Sequence, residues 1–211
     1  MAIVEFPPVE LADQYGLLAV GGDLEIETLL LAYRNGIFPW PLNRQLLAWF
    51  APPERAIIEL ADFHMPKSLH RVINRGQFRT TINSDFSGVI KGCAAAKNRK
   101  GQRGTWITPA MIAAYQNLHK VGFAYSVEVW NSDLLVGGLY GVRLGSFVAA
   151  ESMFYRETNA SKIALCALVE DLRQQGVSWF DVQVLTPTTE MFGAREISRG
   201  EFQTRLDECL S

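Results

Sequence analysis

A chain of 211 residues with 48% hydrophobic content is long enough for one large domain or two unequal ones built on a proper core. Its formal net charge of -2 excludes a general attraction to polyanions, so any contact with nucleic acid has to come from local basic patches. Three widely spaced cysteines, Cys93, Cys166 and Cys209, form no CxxC pair and have no histidine at ligand spacing, which argues against a disulfide framework or a zinc site. The N-terminal MAIVEFPPVELADQ lacks a basic region before an apolar one, and no run approaches the roughly 18 apolar residues of a spanning helix, so a soluble, cytoplasmic protein is expected.

No internal repeat is present, and the chain divides at the Pro-rich segment from Ala51 to Glu54 into a small N-terminal domain, residues 1–60, and a larger one, residues 61–211. In the first, Asp23 is suited to cap a helix over LEIETLLLAYRNG, and Gly36 to end it. The following IFPWPLNRQLLAWFAPP gathers Phe38, Trp40, Trp49 and Phe50 among prolines and reads as an aromatic-lined loop. A helix is expected after Pro66 with its stop at Gly76, then a strand at FRTTIN, a helix from about Phe86 to Ala96, and another from about Pro109. SVEVW, LLVGGLYGV and SFVAAE, joined by short turns, read as three consecutive antiparallel strands, the last ending at Glu151. A helix from about Ser161 to Gln175 carries the stripe Leu165, Leu168, Val169 and Leu172, and VSWFDVQVL returns as a strand. The whole is α+β, a mainly antiparallel sheet flanked by helices.

Alternation along VSWFDVQVL places Asp181 and Gln183 on one face, roughly 7 Å apart. Polar groups inside an apolar strand cost stability unless hydrogen-bonded, so the pair is either structural or functional. Glu151, on another strand of the same sheet, makes the functional choice attractive, because a carboxylate and an amide at one opening can take a proton from an amine and orient a carbonyl. Two basic clusters stand out: Lys67, Arg71 and Arg75 at four-residue spacing with Arg79 beyond, and Lys97, Arg99, Lys100 and Arg103 in KNRKGQR. Each is a solvated face or a phosphate-binding surface, and neighbouring aromatics suited to base stacking favour the second. His64, His70 and His119 are isolated, and Ser152 and Ser161 lack the context of a nucleophile. A meander followed by helix and strand also suits a coenzyme A-dependent acetyltransferase, but the nearest approach to a pyrophosphate loop, Arg173 to Ser178, leads into a strand rather than a helix.

The segments GLLAVGGDL, LLLAYRNGIFPW, WF-x-P with RA after it, GTWITPAMIAAY, SVEVW, LVGGLYGV, ESMF, NASKIAL, and D-x-Q followed by GAREI resemble, in order and spacing, the leucyl/phenylalanyl-tRNA-protein transferases. The resemblance implies a GNAT-like acyltransferase domain, an aminoacyl-tRNA donor in place of coenzyme A, and transfer of Leu or Phe, Met less well, to proteins with N-terminal Arg or Lys, which marks them for degradation. It implies no cofactor, ATP or metal, since the ester is already activated. Asp181 and Gln183 match the residues proposed to polarise and handle the amine, and Glu151 the carboxylate beside them. Leu139, Val148, Leu165, Leu168 and Phe180 match an apolar pocket for the donor side chain, Trp49 and Trp106 the tryptophans near the terminal adenosine, and Lys67, Arg71 and Arg75 suit the acceptor stem. The chain departs from the family at Val182, usually Cys, at Val148, usually a bulkier aromatic, and around Thr188 and Met191. An RNA-binding module without catalysis is the non-enzymatic alternative. A monomer is the default expectation.

Overall fold

The computed structural model describes residues 2–43, 45–96 and 105–211. Leu17–Val20 (β1) leads through Gly21 and Gly22, both at positive φ, to the helix Ile26–Arg34 (α1). Asp23 is not its cap. Glu25 holds that position, while the Asp23 carboxylate accepts from the Glu25 N–H at 3.0 Å and the Thr28 hydroxyl at 2.6 Å, fixing the turn before the helix. Gly36 ends the helix at φ 70°, where a side chain would be strained. The segment expected to be an aromatic loop instead carries two short strands, Phe38–Pro39 (β2) and Ala48–Phe50 (β3), which join β1 in a three-stranded sheet of order β1-β3-β2. Pro39 is tolerated because β2 lies at the edge.

Past Ala51–Pro53 the chain enters a second sheet with Glu54–Glu59 (β4). Lys67–Asn74 (α2), Arg79–Ile82 (β5), Phe86–Ala95 (α3) and Pro109–Lys120 (α4) follow. The Asp85 carboxylate caps α3 and the Thr108 hydroxyl caps α4. Ala124–Asn131 (β6), Leu134–Leu144 (β7) and Phe147–Tyr155 (β8) form the expected antiparallel meander, Ala160–Gln174 (α5) crosses over, and Trp179–Gln183 (β9) returns. Pro187–Met191 (α6), Arg195–Ser198 (β10) and Arg199–Leu210 (α7) complete the chain. The sheet has seven strands in the order β10-β4-β9-β8-β7-β6-β5, and every neighbouring pair is antiparallel except β8 and β9, which meet in parallel at Ala149 and Asp181.

Each face of this sheet has its own apolar layer. On one side the α5 stripe, Leu165, Leu168, Val169 and Leu172, buries itself against Val127, Leu139, Val148 and Phe180, with Leu69 of α2 beside it. Burial of one such side chain contributes about 1.5–3 kcal/mol, so the stripe alone accounts for docking α5. On the other side Phe86, Met111, Tyr115, Tyr140, Phe147 and Phe202 pack with Tyr33, Ile37, Phe38 and Trp49 from the N-terminal part. The small sheet and α1 therefore roof one face of the large one.

Candidate active site

The functional geometry begins with two irregularities in neighbouring strands. Between β7 and β8, Tyr140 pairs with Ser152 and Gly141 with Ala150, so Glu151 is the extra residue of a β-bulge. The strand does not end at Glu151, as the sequence suggested, but continues to Tyr155. Gly141 is required at this bulge, because a Cβ there would stand 2.0 Å from the Ala149 carbonyl oxygen. Between β4 and β9, Ile57 pairs with Asp181 and Ala56 with Gln183, leaving Val182 as the extra residue. Gln183 sits at φ 63°, and the Val184 N–H returns to the Val182 carbonyl at 2.7 Å. Strict alternation thus fails at Gln183, and the strand stops there rather than running on to Leu185.

The two bulges aim their side chains at each other. The Gln183 amide donates from Nε2 to Glu151 Oε1 at 2.7 Å. The Gln183 backbone N–H donates to Asp181 Oδ1 at 2.7 Å, so Asp181 holds the turn on which Gln183 rides instead of bonding its side chain. Asp181 is wholly buried and paired with Arg55 of β4, which is not among the expected site residues: Nε donates to Oδ1 at 2.9 Å and Nη2 to Oδ2 at 2.6 Å. This two-point geometry is the strong form of an arginine–carboxylate contact. Arg55, the Arg of the RA that follows WF-x-P, carries no periodic signal, and its partner across the sheet gives it a role.

Glu151 is 8% exposed, and the hydroxyls of Tyr33 and Tyr115, 2.6 Å apart, approach it from α1 and α4. Its Oε2 is buried without a hydrogen-bond partner among the described residues. Burial pushes its carboxyl up to about 7; the Tyr33 hydroxyl and Gln183 amide act downward, the Asp181 charge upward, and Arg55 downward. Burial also raises the two tyrosine hydroxyls well above their usual range, with the Glu151 charge adding to it. The tyrosines come from segments far apart in sequence, which is why no spacing pointed to them.

The five apolar residues expected around a donor side chain are all buried in the α5-side layer. Val148 and Leu168 line a cavity of about 220 Å³ together with Tyr125, Val127, Leu172 and a polar rim that includes Arg143 and Asp171. Leu139, Leu165 and Phe180 lie in the same layer without lining it. Trp106 stacks on Trp40, ring centres 4.6 Å apart and planes at 18°, both half-buried. Trp49 is fully buried, packs edge-on against Phe6, and donates its indole N–H to the Gly21 carbonyl. Lys67, Arg71 and Arg75 are exposed along α2 and its C-cap, whereas Lys97, Arg99, Lys100 and Arg103 lie outside the described residues. The turn from Arg173 to Ser178 follows the C-terminal end of α5, where the helix dipole disfavours phosphate.

A meander, crossover helix and parallel return strand, with a buried amide–carboxylate pair just past the point where the two parallel strands meet, define an α+β protein whose candidate site lies on a mainly antiparallel sheet flanked by helices. Comparison with known families narrows this further: the family described as "Leucyl/phenylalanyl-tRNA protein transferase" matches residues 57–207, and its N-terminal domain matches residues 22–53. A leucyl/phenylalanyl-tRNA–protein transferase of Anaeromyxobacter dehalogenans is 48% identical over 97% of this chain and 88% of its own length, and one of Flavobacterium johnsoniae is 46% identical over 95% and 94%. Among solved structures, FemX shares the fold, with a TM-score of 0.54 at 12% identity over 82% of this chain and 66% of that one. The chain belongs to the leucyl/phenylalanyl-tRNA protein transferase family, and so is an aminoacyltransferase.

Proposed function

We propose that this enzyme moves Leu or Phe, and Met less well, from the 3′ end of an aminoacyl-tRNA to the free α-amine of proteins beginning with Arg or Lys, tagging them for degradation in the cytoplasm. In that reaction the neutral amine attacks the ester carbonyl, a C–N bond forms, the C–O bond to the terminal ribose breaks, and one amine proton passes to the departing hydroxyl. The observation that carries the reading is the locked amide of Gln183. With Nε2 given to Glu151, its carbonyl oxygen is turned the other way and serves as an acceptor for the attacking amine. Asp181 supports this by holding the Gln183 backbone, and Glu151 supplies the negative charge that the cationic acceptor needs.

The donor side chain is assigned to the apolar layer containing Leu139, Val148, Leu165, Leu168 and Phe180, where β-branched Ile and Val fit poorly. The Trp40–Trp106 stack suits the unpaired terminal adenosine, and Lys67, Arg71 and Arg75 suit the acceptor stem. Purified protein given radiolabelled Leu-tRNA or Phe-tRNA should label a peptide with a free N-terminal Arg and spare its acetylated counterpart, without ATP or added metal. Failure to label either peptide, from a folded protein that still binds tRNA, would favour an RNA-binding module. Tight binding of acetyl-coenzyme A would favour an acetyltransferase.

A further inference from the structure

We infer that Arg55 is a positioning residue for the transfer reaction, setting the site through Asp181 without touching either substrate; this rests on the transferase reading above. An arginine that is 2% exposed normally demands a reason, because taking a guanidinium out of water costs several kcal/mol before any partner is found. Here its donors go to two places. Nε and Nη2 grip the two oxygens of Asp181, and Nη1 donates to the Gly36 carbonyl at 3.2 Å. Its flat faces are covered by rings, with Phe38 4.5 Å and Phe202 4.7 Å from the guanidinium carbon. The side chain therefore touches four separate stretches of chain: the end of α1, strand β2, strand β9 and helix α7.

The contacts to Asp181 and Gly36 bear on the reacting groups. Asp181 Oδ1 accepts from both Arg55 Nε and the Gln183 N–H, so the carboxylate that holds Gln183 in its left-handed turn is itself aimed by the guanidinium. A left-handed Gln is strained and persists only when its surroundings fix it. The Gly36 carbonyl lies just past α1, the helix that brings Tyr33 to Glu151. Arg55 thereby ties the two sides of the site, the Gln183 amide and the tyrosine pair, to one rigid planar group. A lysine in its place would keep the charge but lose the fork and the flat stacking surface.

The test uses Arg55→Lys, Arg55→Gln, Asp181→Asn and the double variant Arg55→Gln/Asp181→Asn. Single-turnover transfer from saturating Leu-tRNA should fall by about 100-fold in Arg55→Lys, as for a small displacement of an aligned group, with KM for tRNA and for peptide little changed. The double variant should lose no more than the slower of its two single parents, because both changes break one path. Independently of activity, the Gln183 backbone amide resonance should move in Arg55→Lys in the same direction as in Asp181→Asn. If Arg55→Gln does not fold, Arg55→Lys and Asp181→Asn still make the comparison. A folded Arg55→Lys with wild-type turnover and an unmoved Gln183 amide overturns the inference, as does a double variant whose losses multiply. If the wild type transfers nothing, the transferase reading fails, and the amide shift still reports whether Arg55 sets Gln183.

Discussion

Glu151 should make the protein less stable as the pH rises, the reverse of the usual behaviour of a carboxylate. Its folded value of about 7 lies above the ordinary 4.5, because burial penalises the charge more than the Gln183 amide and Tyr33 hydroxyl relieve it. Below pH 4.5 the group is protonated in both folded and unfolded chains, and its contribution is fully present. Between 4.5 and about 7 the folded protein keeps a proton that the unfolded chain releases, so each rise in pH favours unfolding. Above about 7 both forms are ionised and the loss is complete. At about 1.4 kcal/mol per tenfold change, the span corresponds to about 3 kcal/mol. Glu151→Gln keeps the size and removes the titration. Urea unfolding of both proteins across this window should show the wild type losing about 3 kcal/mol relative to the variant, with no further divergence above pH 7. Parallel stability curves would mean that the carboxyl is hydrated and titrates normally, and the account of the buried site would fail.

Trp40→Ala should weaken binding of an RNA that mimics the tRNA 3′ end by about 1–3 kcal/mol in a filter assay, the worth of one stacked base. Trp49→Phe should leave that binding unchanged and lower the melting temperature, since it removes the bond to the Gly21 carbonyl; the opposite pattern would restore Trp49 as the stacking residue. Neutralising Lys67 or Arg71 should weaken tRNA binding at every sequence and reduce the slope of log K against log salt by about 1 for each phosphate that is no longer neutralised, and an unchanged slope would remove α2 from the interface. Val148→Phe should fill the cavity beneath the sheet and reduce kcat/KM for Phe-tRNA more than for Leu-tRNA in direct competition. Equal reductions would place the donor side chain elsewhere.

The parts of the fold that could be read from the sequence are those where one local signal is enough. The β6–β8 meander and α5 follow from alternation, short turns and the 3.6-residue stripe, and their bounds are close to those expected except at the end of β8, which runs past Glu151 to Tyr155. The β2 strand was hidden by its proline at a sheet edge, β3 by its three-residue length, and β4 by the same Pro-rich segment that marks the change of sheet. At the site, Asp181, Gln183 and Glu151 could be picked out because polar residues in apolar strands are conspicuous. Their arrangement could not, because a single extra residue at Val182 and another at Glu151 shift the pairing, and bulges leave no pattern in a string of residue types. Arg55, Tyr33 and Tyr115 join the site only through contacts between distant segments. The burial of Trp49 was illegible for the same reason: it depends on Phe6 and Gly21, and exposure is a property of the folded neighbourhood.

The shared apolar layer beneath the small sheet also bears on how the protein can be cut and inherited. Although the chain changes sheets at Ala51–Pro53, residues of the N-terminal part and of the large sheet share one apolar layer. Severing the chain there would bare Phe86, Met111, Tyr115 and Phe147 on the remaining sheet, while Tyr33, Ile37 and Phe38 would lose the wall they lean on. Unfolding should therefore proceed as one cooperative event, and hybrids with a foreign N-terminal part should lose solubility unless the shared layer is matched.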